Sequence, residues 1–309
     1  MNNILHLKYA VEVEKTGSIS KAAENLYMGQ PHLSKAIREL EDSLGILIFN
    51  RTSKGVIPTE KGLEFLAFAK HILSQIEEME ERYKPSAEQR QRFNISVPRA
   101  GYISYAFTEF VNNLDGNKGI DLHYRETNAI RAVRNVADCI NNLAIIRFRT
   151  IYERIFIDTI KEKELEYRPI LEFENLVIMS NRHPLAKADV IDHTKLSNYI
   201  RITHGDTPVP TLPLTKNPIV KEGELSRRIE VYERGSELEL LCRIPITYMF
   251  SSPEPKETLE RFSLVQKKCV RPDNVCKDIL IYRKGYNFSQ YDELFVNLLN
   301  KTIRTVTKL

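Results

Sequence analysis

A short stretch of the chain carries side chains that could read DNA bases. Apolar residues recur there at intervals of 4, 3 and 4, which is the spacing of a helix with one core-facing stripe: Leu33, Ile37, Leu40 and Leu44. The remaining faces carry polar and basic residues, namely Gln30, His32, Ser34, Lys35 and Arg38. Amides can hydrogen-bond to base edges, and lysine or arginine can bind guanine or phosphate. The pattern therefore predicts a helix that packs on one face and enters the major groove with the others.

A second short helix precedes this one and would orient it. Ser18 is a suitable N-cap for a helix that ends near Leu26. A turn follows at residues 27–29, and Pro31 is tolerated because the first-turn N–H groups of a helix lack intrahelical partners. From this helix-turn-helix we also assign DNA contacts to Ser20, Lys21 and Pro31.

Two short β-type runs with a polar loop between them follow the helix pair. Residues 47–49 and 56–57 are apolar, and the loop contains a glycine, which is typical of a hairpin, here the wing of a winged helix. Arg51 and Lys54 at the hairpin tip would meet phosphate or the minor groove. Solvated loop charge is the alternative, and the neighbouring helix-turn-helix favours the DNA contact.

The stretch at residues 17–45, GSISKAAENLYMGQPHLSKAIRELEDSLG, resembles the N-terminal domain of LysR-type transcriptional regulators. The likeness continues through LKYAVEVEKTGS upstream and LGILIFNRTSKGVIPTEKG downstream, and it is weaker beyond the following long helix. Gly29 stands where the family usually has a serine N-cap, and glycine is an acceptable N-cap. The resemblance implies a sequence-specific DNA-binding regulator that a small-molecule effector controls.

A long helix is predicted at residues 59–82, which is roughly 24 residues and about 36 Å. Its apolar residues are spaced as a heptad seam, at Phe65, Ala69, Ile72, Ile76 and Met79. Packing on its own domain is the alternative, but three short helices are too few to cover this seam. We therefore predict a homodimer, whose two-fold axis implies an interrupted palindrome as the double-stranded DNA target.

Beyond a polar linker, strands and helices alternate, which predicts a parallel sheet. The predicted fold class is an N-terminal all-α winged helix-turn-helix with a long dimerisation helix, followed by an α/β periplasmic-binding-protein-like effector domain of two subdomains. The predicted boundaries are 1–58 for the DNA-binding domain, 59–91 for the linker helix and hinge, and 92–309 for the effector domain, with subdomain I at about 92–166 and 270–309 and subdomain II at about 167–269.

Ligands bind beyond the C-terminal ends of the strands in such sheets, at helix N-termini. By resemblance these loops line an effector cleft, to which we assign Arg99, Ala100, Ser104, Thr127, Asn128, Arg147, Thr203, His204 and Tyr248. Helix N-termini favour anions, and Arg99 and Arg147 add positive charge, so we predict a small anionic effector such as a carboxylate. The alternatives are that Arg147 pairs with Glu126 or Asp121 and that His204 is an exposed loop residue.

Composition and cysteine content limit the remaining possibilities. A net charge of +4 is compatible with nucleic acid but does not demand it. No apolar run reaches the ~18 residues of a membrane span and the N-terminus lacks a signal-peptide pattern, so we expect a cytoplasmic protein without membrane contact. Cys269 and Cys276 bracket VRPDNV. A redox-sensing regulator that uses them is one alternative, and two unrelated, reduced cysteines is the other.

No sequence motif points to catalysis. A nucleophile elbow, a dinucleotide fingerprint, a phosphate loop and a metal motif are all missing, so we predict no enzyme activity, catalytic residue, cofactor or metal. The α/β half could still belong to an enzyme or to a small-molecule-binding protein without DNA function, because fold does not fix function. The resemblance implies a homodimer, paired into a homotetramer, in which cleft closure changes contacts with DNA and RNA polymerase.

Overall fold

A computed structural model describes residues 4–52, 55–83, 90–205, 227–232, 234–272 and 274–307. Lys54 and most of the predicted linker lie outside these residues. The chain forms two compact units, one of Met1–Gln89 with Asp138–Ile140 and one of Arg90–Ala137 with Asn141–Leu309. Over the described ranges, no helix combines the length and the apolar character that crossing a membrane requires.

In the described residues, the first unit contains four helices and a two-stranded wing. Its elements are α1 (Ile4–Thr16), α2 (Ile19–Asn25), α3 (Gln30–Leu44), β1 (Phe49–Thr52), β2 (Gly55–Pro58) and α4 (Glu60–Tyr83). The two strands pair antiparallel, with Arg51 opposite Val56. The predicted α3 stripe enters the core, where Leu33, Ile37 and Leu40 are buried. The predicted winged helix-turn-helix is confirmed.

Local signals at the helix ends explain why this helix pair forms. The Ser18 hydroxyl accepts a hydrogen bond from the N–H of Lys21 and so caps α2. Gly29 caps α3 from an extended conformation without a side-chain acceptor. Gly45 ends α3 at a φ of 67°, in the left-handed region that favours glycine. These ends fix the length of α3 and hence which of its residues reach the surface.

The long helix α4 has one face in the core of the unit and another in solvent. Ala69 is only 1% exposed, so it packs inside its own domain, and the prediction that it forms part of an intermolecular seam is wrong. Phe65 is half-buried against the same core, and Ile76 is also half-buried. The large exposed residues on the other face are Phe68 (61%), Ile72 (39%), Met79 (55%) and Tyr83 (81%). The exposed stripe is therefore rotated toward Phe68 relative to the predicted one.

The second unit contains two sheets and their covering helices. The helices are α5 (Gly101–Asn112), α6 (Ala129–Ala137), α7 (Glu153–Glu162), α8 (Arg234–Arg243), α9 (Lys256–Arg261) and α10 (Gln290–Val306), with 3-10 helices at Thr150–Tyr152 and His193–Asn198. The strands are β3 (Gln91–Val97), β4 (Ile120–Glu126), β5 (Leu143–Arg149), β6 (Leu165–Glu174), β7 (Leu176–Ser180), β8 (Val190–Asp192), β9 (Ile200–His204), β10 (Arg228–Val231), β11 (Thr247–Ser251), β12 (Leu264–Val270) and β13 (Val275–Arg283).

The first sheet has the order β4-β3-β5-β13-β6 and is mixed. β3 pairs parallel with β4 and β5, as predicted for strands joined by crossover helices. β13 returns from the end of the chain and pairs antiparallel with β5 and β6, so the prediction of a parallel sheet is wrong there. Because β6 runs to Glu174, this sheet also extends further along the chain than the predicted limit near residue 166.

The second sheet has the order β10-β9-β11-β7-β12-β8. β9 is parallel to β10 and β11, whereas β7 is antiparallel to β11 and β12. Its two faces pack into separate apolar clusters, one around Met179 and Tyr248 and the other around Ile178 and Leu241. The second cluster contains α8, and this packing fixes the position of the charged residues at the start of that helix.

Candidate functional site

The recognition helix α3 exposes the side chains that the sequence assigns to DNA. Its apolar stripe is buried, as the fold requires. The assigned residues on the exposed surface are Ser20 and Lys21 on α2 and Gln30, Pro31, His32, Lys35 and Arg38 on α3. Amide, imidazole, ammonium and guanidinium groups thus lie on one accessible helix, as reading of a major groove requires.

The side chains of Ser34 and Arg51 are hydrogen-bonded to each other. Ser34 is half-buried, and its hydroxyl accepts a 3.0 Å hydrogen bond from Nη2 of Arg51 on β1. The bond holds the wing guanidinium beside the recognition helix. Lys35 lies 3.7 Å from Glu39 in an exposed pair. Such a pair contributes little free energy in water, so little opposes transfer of the Lys35 ammonium to a phosphate.

A cavity of about 280 Å³ in the second unit is lined by residues of both sheets. Five predicted effector residues line it: Arg99, Thr127, Asn128, Arg147 and His204. Much of the remaining wall is aromatic or aliphatic, including Phe148, Phe156, Ile178, Met249 and Phe250. Apolar walls with a few charged groups are typical of sites for small organic ligands.

Four predicted effector residues do not line the cavity. Ala100 is buried immediately before α5. The Ser104 hydroxyl accepts a 2.9 Å hydrogen bond from Nη1 of Arg234. Thr203 and Tyr248 each adjoin a cavity residue along a strand, and successive strand residues point to opposite faces of a sheet. The assignment of these four residues to the cavity is wrong. The prediction assigned these loops to the site as a whole, whereas only some side chains of each loop reach the cavity.

Arg147 is held by a carboxylate that the sequence did not suggest. Its Nε and Nη2 donate hydrogen bonds to the two Asp278 oxygens at 2.8 Å and 2.7 Å, and the Tyr102 hydroxyl also donates to Asp278. Burial alone would lower the pKa of Arg147, but the charge and hydrogen bonds of Asp278 outweigh burial and raise that pKa. The predicted pairing with Glu126 or Asp121 is wrong, because β13 inserts beside β5 and brings Asp278 opposite Arg147.

Arg234, at the start of α8, stands among carboxylates. Its Nη1 lies 3.0 Å from Glu126 and its Nη2 lies 4.0 Å from Glu254, while Glu237 lies within range of its charge. Arg234, Glu237 and Glu254 line the cavity. The prediction missed them because they come from segments far apart in sequence, with no local motif. The one signal in the sequence is that each of the three is a charged residue.

Glu237 and His204 form a pair in the cavity wall. His204 Nε2 lies 3.2 Å from Glu237 Oε2, with the two side chains 28% and 6% exposed. Burial raises the pKa of the Glu237 carboxyl to about 7, and the charge of Arg234 opposes the rise. His204 is therefore no exposed loop residue, and that alternative is wrong.

Glu254 occupies the helix N-terminus that the sequence assigns to an anionic ligand. Its Oε1 accepts a 3.0 Å hydrogen bond from the N–H of Gly101, the first residue of α5. A Cβ at position 101 would overlap this carboxylate, so glycine permits the close approach. Burial raises the pKa of Glu254, while Arg234 and the Gly101 N–H oppose the rise. The protein thus supplies its own carboxylate at this helix end.

The two candidate redox cysteines are buried. Burial raises the pKa of both Cys269 and Cys276, although nearby arginines oppose the rise. Thiols react chiefly as thiolates, so these surroundings disfavour oxidation. Cys276 lines the cavity and accepts a hydrogen bond from Asn175 at 3.1 Å. In the part of the chain that the structure describes, no cluster of His, Cys, Asp or Glu could hold a metal ion.

Comparison with known proteins identifies similar regulators. The sequence model of the family described as bacterial regulatory helix-turn-helix proteins, lysR family, matches residues 4–63. The chain is 32% identical over 185 residues to a probable RuBisCO transcriptional regulator of Thalassiosira pseudonana, a match that covers 59% of this chain and 57% of that protein, which is less than two thirds. It is 24% identical over 238 residues to the HTH-type transcriptional regulator CfxR of Cupriavidus necator, and this match covers 71% of this chain and 72% of that protein. A full-length OxyR variant from Pseudomonas aeruginosa shares the fold, with a TM-score of 0.63, 16% identity and coverage of 99% and 96%.

Proposed function

We propose that the chain, whose residues 4–63 match the model of the bacterial regulatory helix-turn-helix proteins of the lysR family, regulates transcription by binding specific double-stranded DNA under the control of a small-molecule effector. The observation that carries the proposal is α3, which buries its apolar stripe and exposes Gln30, His32, Lys35 and Arg38. The relatives reported above are named as transcriptional regulators, and none is named as an enzyme.

Selection of genomic DNA fragments tests DNA recognition directly. Purified full-length protein is mixed with sheared genomic DNA at moderate and high salt, and the retained fragments are sequenced. Phosphate contacts weaken with salt whereas base contacts preserve sequence preference, so we expect an interrupted palindrome to persist at high salt. Retention without sequence preference, or no retention at all, would contradict the proposal.

The exposed stripe of α4 supports a homodimer. Phe68, Ile72, Met79 and Tyr83 follow one another at intervals of 4, 7 and 4 residues, so they share one face of the helix. Large apolar side chains at this exposure mark an interaction surface. A second copy of the chain offers the same stripe, which suits the two-fold interface that a palindromic target requires.

Charge placed on the stripe tests the dimer. Ile72→Glu puts a carboxylate into the proposed interface and should yield a monomer by analytical ultracentrifugation. Ala67→Glu adds the same charge on the same helix at an exposed position away from the stripe, and it should leave the dimer intact. A dimer that survives Ile72→Glu, or is lost equally in both variants, would exclude this interface.

The effector is proposed to bind in the cavity and to carry an anionic group that Arg99 and Arg147 attract. Closure of the two subdomains around the effector would change the contacts that the regulator makes with DNA and with RNA polymerase. The regulator in this proposal is a homodimer, or a homotetramer formed from two dimers. DNase footprints with and without a cavity ligand test this. A ligand that binds the cavity but leaves the footprint and transcription unchanged would contradict the mechanism.

A further inference from the structure

We propose that Tyr27, in the turn between α2 and α3, donates a hydrogen bond from its hydroxyl to a phosphate of the bound DNA, beside the bases that α3 reads. The inference rests on the proposed DNA-binding function and adds an uncharged contact that fixes the orientation of the recognition helix. Three observations support it: a backbone conformation that disfavours tyrosine, a side chain in open solvent, and a position just before the recognition helix.

The turn after α2 has a hydrogen-bond pattern that favours glycine at position 27. The Tyr27 N–H donates to the Glu24 carbonyl at 3.1 Å, and the next N–H, of Met28, donates to the carbonyl of Ala23 at 3.0 Å. These two bonds form the Schellman motif, in which the residue after the C-cap is left-handed and usually glycine. Leu26 is the C-cap of α2, and Tyr27 follows it with a φ of 53°. Tyrosine is less stable than glycine there, because its Cβ crowds a backbone carbonyl.

The left-handed conformation alone does not mark a site, because other described residues share it. Cys139, Glu164 and Ser263 also have a positive φ. Glu164 and Ser263 directly follow the C-caps of α7 and α9, so they hold the same place at a helix end. Their side chains are small or readily solvated, whereas Tyr27 carries a large aromatic ring. The ending of α2 therefore does not explain an aromatic residue at position 27.

The side chain of Tyr27 lies in open solvent, while its two neighbours are anchored. Tyr27 is 98% exposed. Leu26 and Met28 are half-buried and pack against the core of the first unit. The anchored neighbours and the left-handed backbone together fix the direction in which the Tyr27 side chain leaves the surface. A direction that is fixed in the free protein lowers the entropy lost when a partner binds.

The position of Tyr27 points to DNA as the partner. Gly29 is the N-cap of α3 and Gln30 is its first residue, so the recognition helix begins just after Tyr27. The N-terminal residues of a recognition helix contact base edges, and the residues immediately before that helix therefore lie at the rim of the major groove. Phosphates line this rim, and tyrosine hydroxyls are among the side-chain groups that donate to them.

Removal of the hydroxyl tests the contact. Tyr27→Phe keeps the ring and should weaken binding about ten-fold on both the selected operator and random DNA, because a hydrogen bond to a charged acceptor is worth about that factor. The slope of log affinity against log salt should stay the same, since a neutral hydroxyl releases no counterion. Fluorescence anisotropy with the full-length protein over a salt series measures both quantities. Tyr167→Phe is the matched control, because it removes an exposed hydroxyl from β6 and should leave DNA affinity unchanged.

A glycine at the same position separates DNA binding from folding. Tyr27→Gly relieves the left-handed backbone, so the folding equilibrium constant of the first unit should rise about five-fold. The same variant should lose about ten-fold in DNA affinity, because it lacks the hydroxyl. Urea denaturation with each transition fitted separately measures the change in stability. Ser263→Gly is the matched control, because it relieves the same conformation after α9 and should stabilise the second unit without changing DNA binding.

The outcomes separate this inference from the proposed function. If the natural protein prefers its operator and Tyr27→Phe binds that operator as tightly, the phosphate contact is refuted and the proposed function stands. A loss on the operator alone would refute the phosphate contact, because Tyr27 would then read a base. A loss of stability in Tyr27→Gly would refute the inference, because the ring would then serve the fold. If the natural protein binds all DNA alike, and more tightly than Tyr27→Phe, the contact is supported and sequence-specific regulation is refuted. Failure of the natural protein to bind any DNA would refute both.

Discussion

The recognition helix and the cavity place their functional side chains in opposite ways. α3 carries its assigned residues between positions 30 and 38 and exposes most of them to solvent. The cavity draws its charges from β5, β9 and α8 and from the loops after β3 and β11, and all of them are buried or half-buried. Exposed charges cost little to hold, whereas buried charges require partners. The first region can therefore change its residues without losing the fold, while the second couples ligand chemistry to stability.

Removal of the carboxylate beneath Arg147 should have the largest effect. Asp278→Ala leaves a buried guanidinium without its counter-charge, so the free energy of unfolding should fall by about 3 to 5 kcal/mol. Urea denaturation with each transition fitted separately measures the change. Glu39→Ala is the control, since it removes the exposed partner of Lys35 on α3 and should change stability by less than about 0.5 kcal/mol. Equal losses in the two variants would remove the contrast between the regions.

The second largest effect should be a change in how the free energy of unfolding depends on pH when Glu237 is replaced. The pKa of Glu237 is raised in the folded protein to about 7 from 4.5, so the folded state binds the proton more tightly than the unfolded state. Its contribution to stability therefore falls as pH rises from 4.5 to 7 and stays low above 7. Glu237→Gln should match the natural protein at pH 4 and exceed it at pH 8 by up to about 3 kcal/mol. A constant difference between pH 4 and pH 8 would contradict the assignment.

The same contrast explains what the sequence could predict of the fold. Helix caps, heptad spacing and the alternation of strands and helices are local, and they predicted α3, α4 and the parallel pairing of β3 with β4 and β5. The antiparallel insertion of β13 between β5 and β6 depends on a return from the far end of the chain. No local spacing encodes that return. The side of α4 that packs on its own domain likewise depends on α1, which heptad spacing does not show.

The candidate site divides in the same way. Gln30 and Arg38 were predicted because one helix presents them together. Asp278, Arg234 and Glu254 were missed because each becomes a partner only after folding brings distant segments together. The anion site predicted at the start of α5 is a true helix N-terminus, but the chain fills it with its own carboxylate. The sequence therefore predicted that the N-terminus of α5 binds an anion, but it did not predict that this anion is the Glu254 carboxylate.

Base discrimination should change moderately on α3. Gln30→Ala removes an exposed amide that could hydrogen-bond to a base edge, so the preference for the selected palindrome over a variant with one changed base pair should fall by about 1 to 3 kcal/mol. Competition binding on the selected operator and on single-base variants measures this. Stability should be unchanged, because the side chain is exposed. A uniform loss on all DNA would identify Gln30 as a phosphate contact.

The smallest expected effect concerns the wing. Arg51→Ala removes one charge, so binding should weaken equally on operator and random DNA, and the slope of log affinity against log salt should fall by about 1. Ser34→Ala keeps that charge but removes the 3.0 Å bond that holds the guanidinium beside α3, so the slope should stay the same. Fluorescence anisotropy over a salt series separates the two variants. A selective loss on the operator in Arg51→Ala would mean that this guanidinium reads bases, and the wing would then share the work of α3.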